Sequence, residues 1–129
     1  MKVIDSSVWI AFFHEKDSLH QRARKLLGGI AFPIAVTEYV IMETCTVLSA
    51  KSSKKIANMF LAEIVDNEDV RILFSAEDLF WETVRRFERS SGKNLSFVDV
   101  SLVCLSDQYQ IVTFDEKLKK VIKGLKINK

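Results

Sequence analysis

The chain has 129 residues, 48% of them hydrophobic and 28% charged, with a formal net charge of +2. That is enough apolar material for the core of one domain spanning 1–129 and enough charge for a soluble surface. No apolar run approaches the roughly 20 residues of a membrane span, and the opening "MKVID" is unlike a signal peptide, so a cytoplasmic protein is the expectation.

In chain order, "KVI" (2–4) reads as a buried strand that stops at Asp5, and "SSVWIAFF" (6–13) as a short helix. A second helix is expected over 17–27, from Asp17 to the stop at Gly28-Gly29. "FPIAV" (32–36) is the second strand, followed by helices over 37–50 and 54–67. "DVRILF" (69–74) is the third strand. The next helix, 75–92, has Ser75 as its expected N-cap with Asp78 three residues on, and Gly92 as its stop. A helix capped by Ser96 fills 96–109, "YQIVTF" (109–114) is the fourth strand, and a helix over 115–123 precedes Gly124. "LKI" (125–127) is a weaker fifth strand.

Strands alternating with helices predict an α/β protein, a central parallel sheet of about five strands with helices on both faces. Ligands of such folds bind beyond the carboxyl ends of the strands. Cys45 and Cys104 lie in apolar helical patterns and read as buried thiols rather than a disulfide or metal pair. Trp9, Phe12, Phe13 and Met42 read as core in preference to a face for a dimer partner or antitoxin.

Most of the 17 acidic residues sit among polar neighbours or at helix ends. Four do not. Asp5 and Asp115 each follow a strand, and Glu43 and Asp99 sit inside helices that look apolar nearly all round. Asp5 and Asp115 could be helix caps, and Asp99, three residues after Ser96, could close a capping box. Glu43 is mid-helix and has no such role, while Glu38 in the first turn suits the helix dipole. Buried carboxylates need a proton or a partner, and these apolar runs carry no lysine or arginine. A bound cation would compensate them together, and an all-oxygen set suits Mg2+ or Mn2+. Zinc is disfavoured, because His14 and His20 lie in one polar region and neither cysteine has ligand spacing.

Taken together, "VIDSSVWI", "VTEYVIMETCTVL", "LSFVDVSLVCLSDQYQ" and "IVTFDEKL" resemble the PIN-domain ribonucleases, and most closely the VapC-type toxins of prokaryotic toxin–antitoxin pairs. The resemblance runs along essentially the whole chain. It implies a three-layer α/β/α sandwich, Rossmann-like in class, that cleaves RNA endonucleolytically. It implies a pocket for magnesium or manganese formed by Asp5, Glu43, Asp99 and Asp115, with Asp5 and Asp99 as principal ligands. Ser6, Ser7 or Thr113 would support the carboxylates or the substrate, with only one of the two serines able to face the pocket. Expected partners are RNA, an inhibiting antitoxin protein and a second copy of the chain in a homodimer. A further acid found in many relatives after Thr-x-Asp is replaced here by Lys117 and Leu118.

Basic stretches at 51–55, 85–89 and from Glu116 onward, where six lysines face one acid, read on charge alone as solvated helix faces and a charged tail, and beside an acidic site as candidates for holding flanking phosphates. Amide substitution of the clustered acids is expected to stabilise the metal-free chain by relieving repulsion. Three alternatives compete with the toxin reading: a phospho-acceptor receiver domain, a non-catalytic PIN-like binding module, and a housekeeping RNA-processing nuclease. The receiver design needs paired acids after the first strand and a late-strand lysine. Only Asp5 and the run Thr113-Phe114-Asp115 stand there.

Overall fold

Four parallel strands carry the architecture: β1 (Lys2–Ile4), β2 (Ile34–Thr37), β3 (Val70–Leu73) and β4 (Gln110–Val112), side by side in the order β3-β2-β1-β4. The computed structural model describes residues 1–90 and 94–127. The helices are α1 (Ser6–Phe13), α2 (His20–Gly28), α3 (Glu38–Lys51), α4 (Lys54–Asp66), α5 (Glu77–Arg89), α6 (Phe97–Leu105) and α7 (Glu116–Ile127). Helix α1 packs against α2, α3 and α4, whereas α6 packs against α5 and α7. This is the predicted α/β/α sandwich.

Among the described residues the sheet has four strands rather than about five. Residues 125–127, expected as a strand, form the last turn of α7. Leu118 and Ile122 are buried and Val121 and Leu125 pack on the core, so each i, i+4 pair keeps one helix face inward past Gly124. A Cβ at Gly124 would meet nothing within 4 Å, so no close approach requires a glycine there.

Two helix starts also differ from expectation. Helix α2 begins at His20, because the Asp17 carboxylate accepts the Leu19 N–H at 2.8 Å and holds a turn instead. Helix α5 begins at Glu77 with Ala76 at the N-cap position and no side-chain cap. Ser75 is not the cap. Its amide donates to Glu38 Oε1 at 2.5 Å and its hydroxyl donates to the same oxygen, tying the segment after β3 to the start of α3. Glu38 therefore does more than complement a helix dipole. The expected stop at Gly92 lies outside the described residues.

Strand residues Val3, Ile4, Ala35 and Val36 are fully buried. Trp9 and Phe13 both place their rings 5.7 Å from Phe60, on the core side of α1. Met42 is a correction. It is 65% exposed, because α3 turns only Val40, Thr44 and Leu48 fully inward. Helix α3 is thus not buried all round, and Glu43 lies at a half-buried position between its inner and outer faces. Both cysteines are free thiols, Cys104 buried and Cys45 partly so. Burial raises the pKa of each. Among the described residues no helix is long and apolar enough to cross a membrane.

Candidate active site

The strand order places β1 in the middle of the sheet. The chain moves from it to β2 and β3 on one side and returns to β4 on the other. The carboxyl ends of β1 and β4 therefore bound the point where the winding reverses, where open α/β sheets make their crevice. Ile4 lies opposite Val112 in register, and the Asp5 N–H extends the ladder to the Val112 carbonyl at 2.9 Å. This pairing brings Asp5 and Thr113 together.

Asp5 is both the N-cap of α1 and the most enclosed acid of the four, only 2% exposed. Its Oδ1 accepts the Ser6 N–H at 2.7 Å. Its Oδ2 accepts the Ser7 hydroxyl at 3.0 Å and the Thr113 hydroxyl at 2.6 Å. Ser7 Oγ in turn accepts the Phe114 N–H at 2.9 Å, and Thr113 Oγ1 accepts the Asp115 N–H at 3.0 Å. Each hydroxyl spends its single proton on Asp5 and is itself supplied by a backbone amide. Buried polar groups need such pairing, and here the pairing fixes the carboxylate plane.

The expectation that only one serine could face the pocket fails. Ser7 supports Oδ2, while the Ser6 hydroxyl lies 3.3 Å from Oδ1 and donates to Glu43 Oε1. Asp5 caps the helix from above its first turn, so side chains from successive first-turn positions both reach it.

The other three acids come from separate elements. Glu43 projects from α3 and meets Ser6 through Oε1. Asp99 sits in α6, where its Oδ2 accepts the Ser96 N–H at 3.1 Å while the Ser96 hydroxyl accepts the Asp99 N–H. The capping box is therefore real, and it leaves Oδ1 free of hydrogen bonds from the described residues. Asp115 Oδ1 accepts the Lys117 and Leu118 amides at 2.9 and 3.1 Å, at the start of α7. In each of these three carboxylates one oxygen anchors the group and the other stays open.

Their charges are coupled. The Glu43 pKa is raised by burial first, lowered by the Ser6 hydrogen bond, and raised again by the negative charges of Asp5 and Asp99. Burial likewise raises the Asp99 pKa, against hydrogen bonds from Ser96, and the charges of Asp5 and Asp115 add to the rise. The fold thus gathers all four sequence-predicted acids into one electrostatic neighbourhood. None of them forms an ion pair with a lysine or arginine of the described residues. No three or more Asp, Glu, His or Cys side chains among the described residues are already drawn into a ligand cage, however. Hard oxygen donors with open lone pairs and no protein counter-charge nevertheless suit a hard divalent cation.

One neighbour escaped the sequence reading. The Arg22 guanidinium of α2 stacks over the Phe114 ring, 4.8 Å from its centroid. It lies in none of the basic stretches that charge counting picks out, and only the tertiary contact reveals it.

The family model of the PIN domain matches residues 2–124 of the chain. No curated protein matches the sequence significantly. Among solved structures, the chain is similar to VapC20 of Mycobacterium tuberculosis, described as a sarcin-ricin loop cleaving toxin. The TM-score is 0.85 at 24% identity, over 93% of this chain and 94% of that one, a likeness of fold. Sheet order, the acids at the winding reversal and the match along nearly the whole sequence agree: the chain belongs to the PIN domain family.

Proposed function

We propose that the chain is a metal-dependent endoribonuclease that hydrolyses RNA phosphodiesters in the cytoplasm. In this reading it is the toxin of a toxin–antitoxin pair, inhibited by an antitoxin protein and acting as a homodimer. One observation carries the chemistry: four carboxylates from different elements bias one another's charge, and none of them forms an ion pair with a lysine or arginine of the described residues. Membership of the PIN family and the fold shared with VapC20 support the ribonuclease and toxin parts of the reading.

Asp5 and Asp99 would be the principal ligands of Mg2+ or Mn2+, with Glu43 and Asp115 completing the set directly or through water. Such an ion supplies charge compensation for the phosphate and lowers the pKa of a bound water. The chain's own residues do the positioning. Ser7 and Thr113 hold the Asp5 carboxylate in one plane, and Ser6 links it to Glu43. Glu43, Asp99 and Asp115 each keep one oxygen without a hydrogen bond from the described residues, and in this reading such an oxygen would orient the attacking water or accept its proton.

The test is purified protein on defined RNAs with magnesium, manganese or chelator, beside Asp5→Asn. Cleavage that needs metal and disappears in the variant is the expected result. Cleavage that survives both chelation and Asp5→Asn would refute it. For the toxin assignment, growth arrest on expression should vanish with Asp5→Asn.

A further inference from the structure

We infer that Arg22 is a phosphate-binding residue of this site, seating an RNA backbone phosphate beside the carboxylates. The inference rests on the nuclease reading for the role of the phosphate, but its evidence is separate. Arg22 stacks on Phe114, whose backbone N–H donates to Ser7, which in turn donates to Asp5. Phe114 also sits between Thr113 and Asp115 in sequence, so the guanidinium rests on a residue of the run that carries two members of the site.

The chemistry of the contact decides what Arg22 can do there. A guanidinium over a ring face is attracted as a cation and spends none of its N–H donors on a hydrogen-bond acceptor. Arg22 is exposed and forms no ion pair with a carboxylate of the described residues. Its charge is therefore unspent and its donor fork is free. That geometry matches bidentate recognition of a phosphate better than it matches a structural ion pair. A pocket of carboxylates repels a polyanion, and a held cation at its edge offsets that repulsion where the strand must enter. Phe114 is 8% exposed, so the platform beneath Arg22 is part of the core and does not move with the side chain.

Arg24 provides the control. It is also exposed and lies on α2, two residues and about 200° further round the helix. Generic attraction by a basic helix would treat the two arginines alike, whereas a phosphate seat depends on Arg22 alone. The measurement is binding of a fluorescent single-stranded RNA, across a salt series, by Glu43→Gln protein carrying Arg22→Gln, Arg22→Lys or Arg24→Gln. Loss of one charged contact predicts about tenfold weaker binding for Arg22→Gln. The slope of log affinity against log salt should fall by about 0.7, as for one phosphate contact to a single strand. Arg22→Lys should restore the slope but only part of the affinity, and Arg24→Gln should change neither.

Equal effects of Arg22→Gln and Arg24→Gln, an unchanged salt slope, or no RNA binding by the Glu43→Gln chain would each overturn the inference. Cleavage by the otherwise wild-type chain is read in parallel. If that chain cleaves nothing while the Arg22 effect on binding persists, the nuclease reading falls and the phosphate seat stands. If it cleaves and Arg22→Gln leaves KM unchanged, the nuclease reading stands and the seat falls.

Discussion

The two kinds of acid in this pocket are held in opposite ways. Asp5, at the end of a strand, is surrounded by donors: two hydroxyls on one oxygen and a backbone amide on the other. Glu43 and Asp99, carried by helices, each have one anchored oxygen and one open one, and burial works against their charge. The protein surrounds the first with hydrogen-bond donors and leaves one oxygen of each of the other two without one. Electrostatic cost is therefore concentrated at the open oxygens, where a bound cation would offset it, while Asp5 is the acid held most firmly in place.

The largest effect expected from this contrast is on activity. Asp5→Asn and Asp99→Asn should each lower metal-dependent RNA cleavage by about a hundredfold or more, read as initial rates on one RNA. A variant retaining near-normal rates would remove that residue from the metal set. Stability should then divide the same substitutions. The sequence alone predicts that amide substitution stabilises every clustered acid, but Asp5 is ringed by donors, so Asp5→Asn turns an NH2 group toward groups that need an acceptor and should cost about 1–3 kcal/mol in denaturant unfolding. Glu43→Gln and Asp99→Asn relieve repulsion, and the amide oxygen introduced by Asp99→Asn can still accept the Ser96 N–H. Their metal-free melting temperatures should hold or rise. A stabilised Asp5→Asn would break the distinction.

Smaller effects sharpen it. Ser7→Ala leaves the Phe114 amide without its acceptor and removes a donor from Asp5, a loss of about 1–2 kcal/mol in the same unfolding measurement. Asp115→Ala should cost about 1 kcal/mol through the uncapped start of α7. The pH response is the subtlest. Because the Glu43 and Asp99 pKa values are raised, the folded chain holds protons that the unfolded chain would release. Their contribution to stability is complete below the ordinary carboxylate range and is lost as pH rises through the raised values. Thermal unfolding of the metal-free protein across that window should therefore lose less stability with rising pH in Glu43→Gln than in wild type.

Much of this was legible from residue order, for identifiable reasons. The strand runs at 2–4 and 32–36 are short and wholly apolar but for the leading lysine, and a polar residue follows each where the helix begins, so period and punctuation agree. The four acids stood out because their neighbours are apolar, a local signal. Other features depended on partners far away in sequence. Ser75 has the composition of a cap, yet Glu38 and Tyr39 claim it across 37 and 36 residues. Met42 belongs to an apolar run, but the rotation of α3 against its neighbours turns it outward. The run 125–127 has strand composition, and only the packing of α7 keeps it helical. The serine question was settled by where the Asp5 carboxylate sits above α1, a fact of three dimensions.

The hydrogen bond between Thr113 and Asp5 spans 108 residues. A growing chain carries Asp5, Glu43 and Asp99 well before it carries Thr113 and Asp115. Closing so long a loop is entropically costly, and the carboxylate is clamped only when β4 docks beside β1. A ribosome-bound fragment ending before residue 113 thus has most of the acids but not the clamp. Docking of the fourth strand is the step that gives Asp5 its Thr113 partner and brings Asp115 to the other acids.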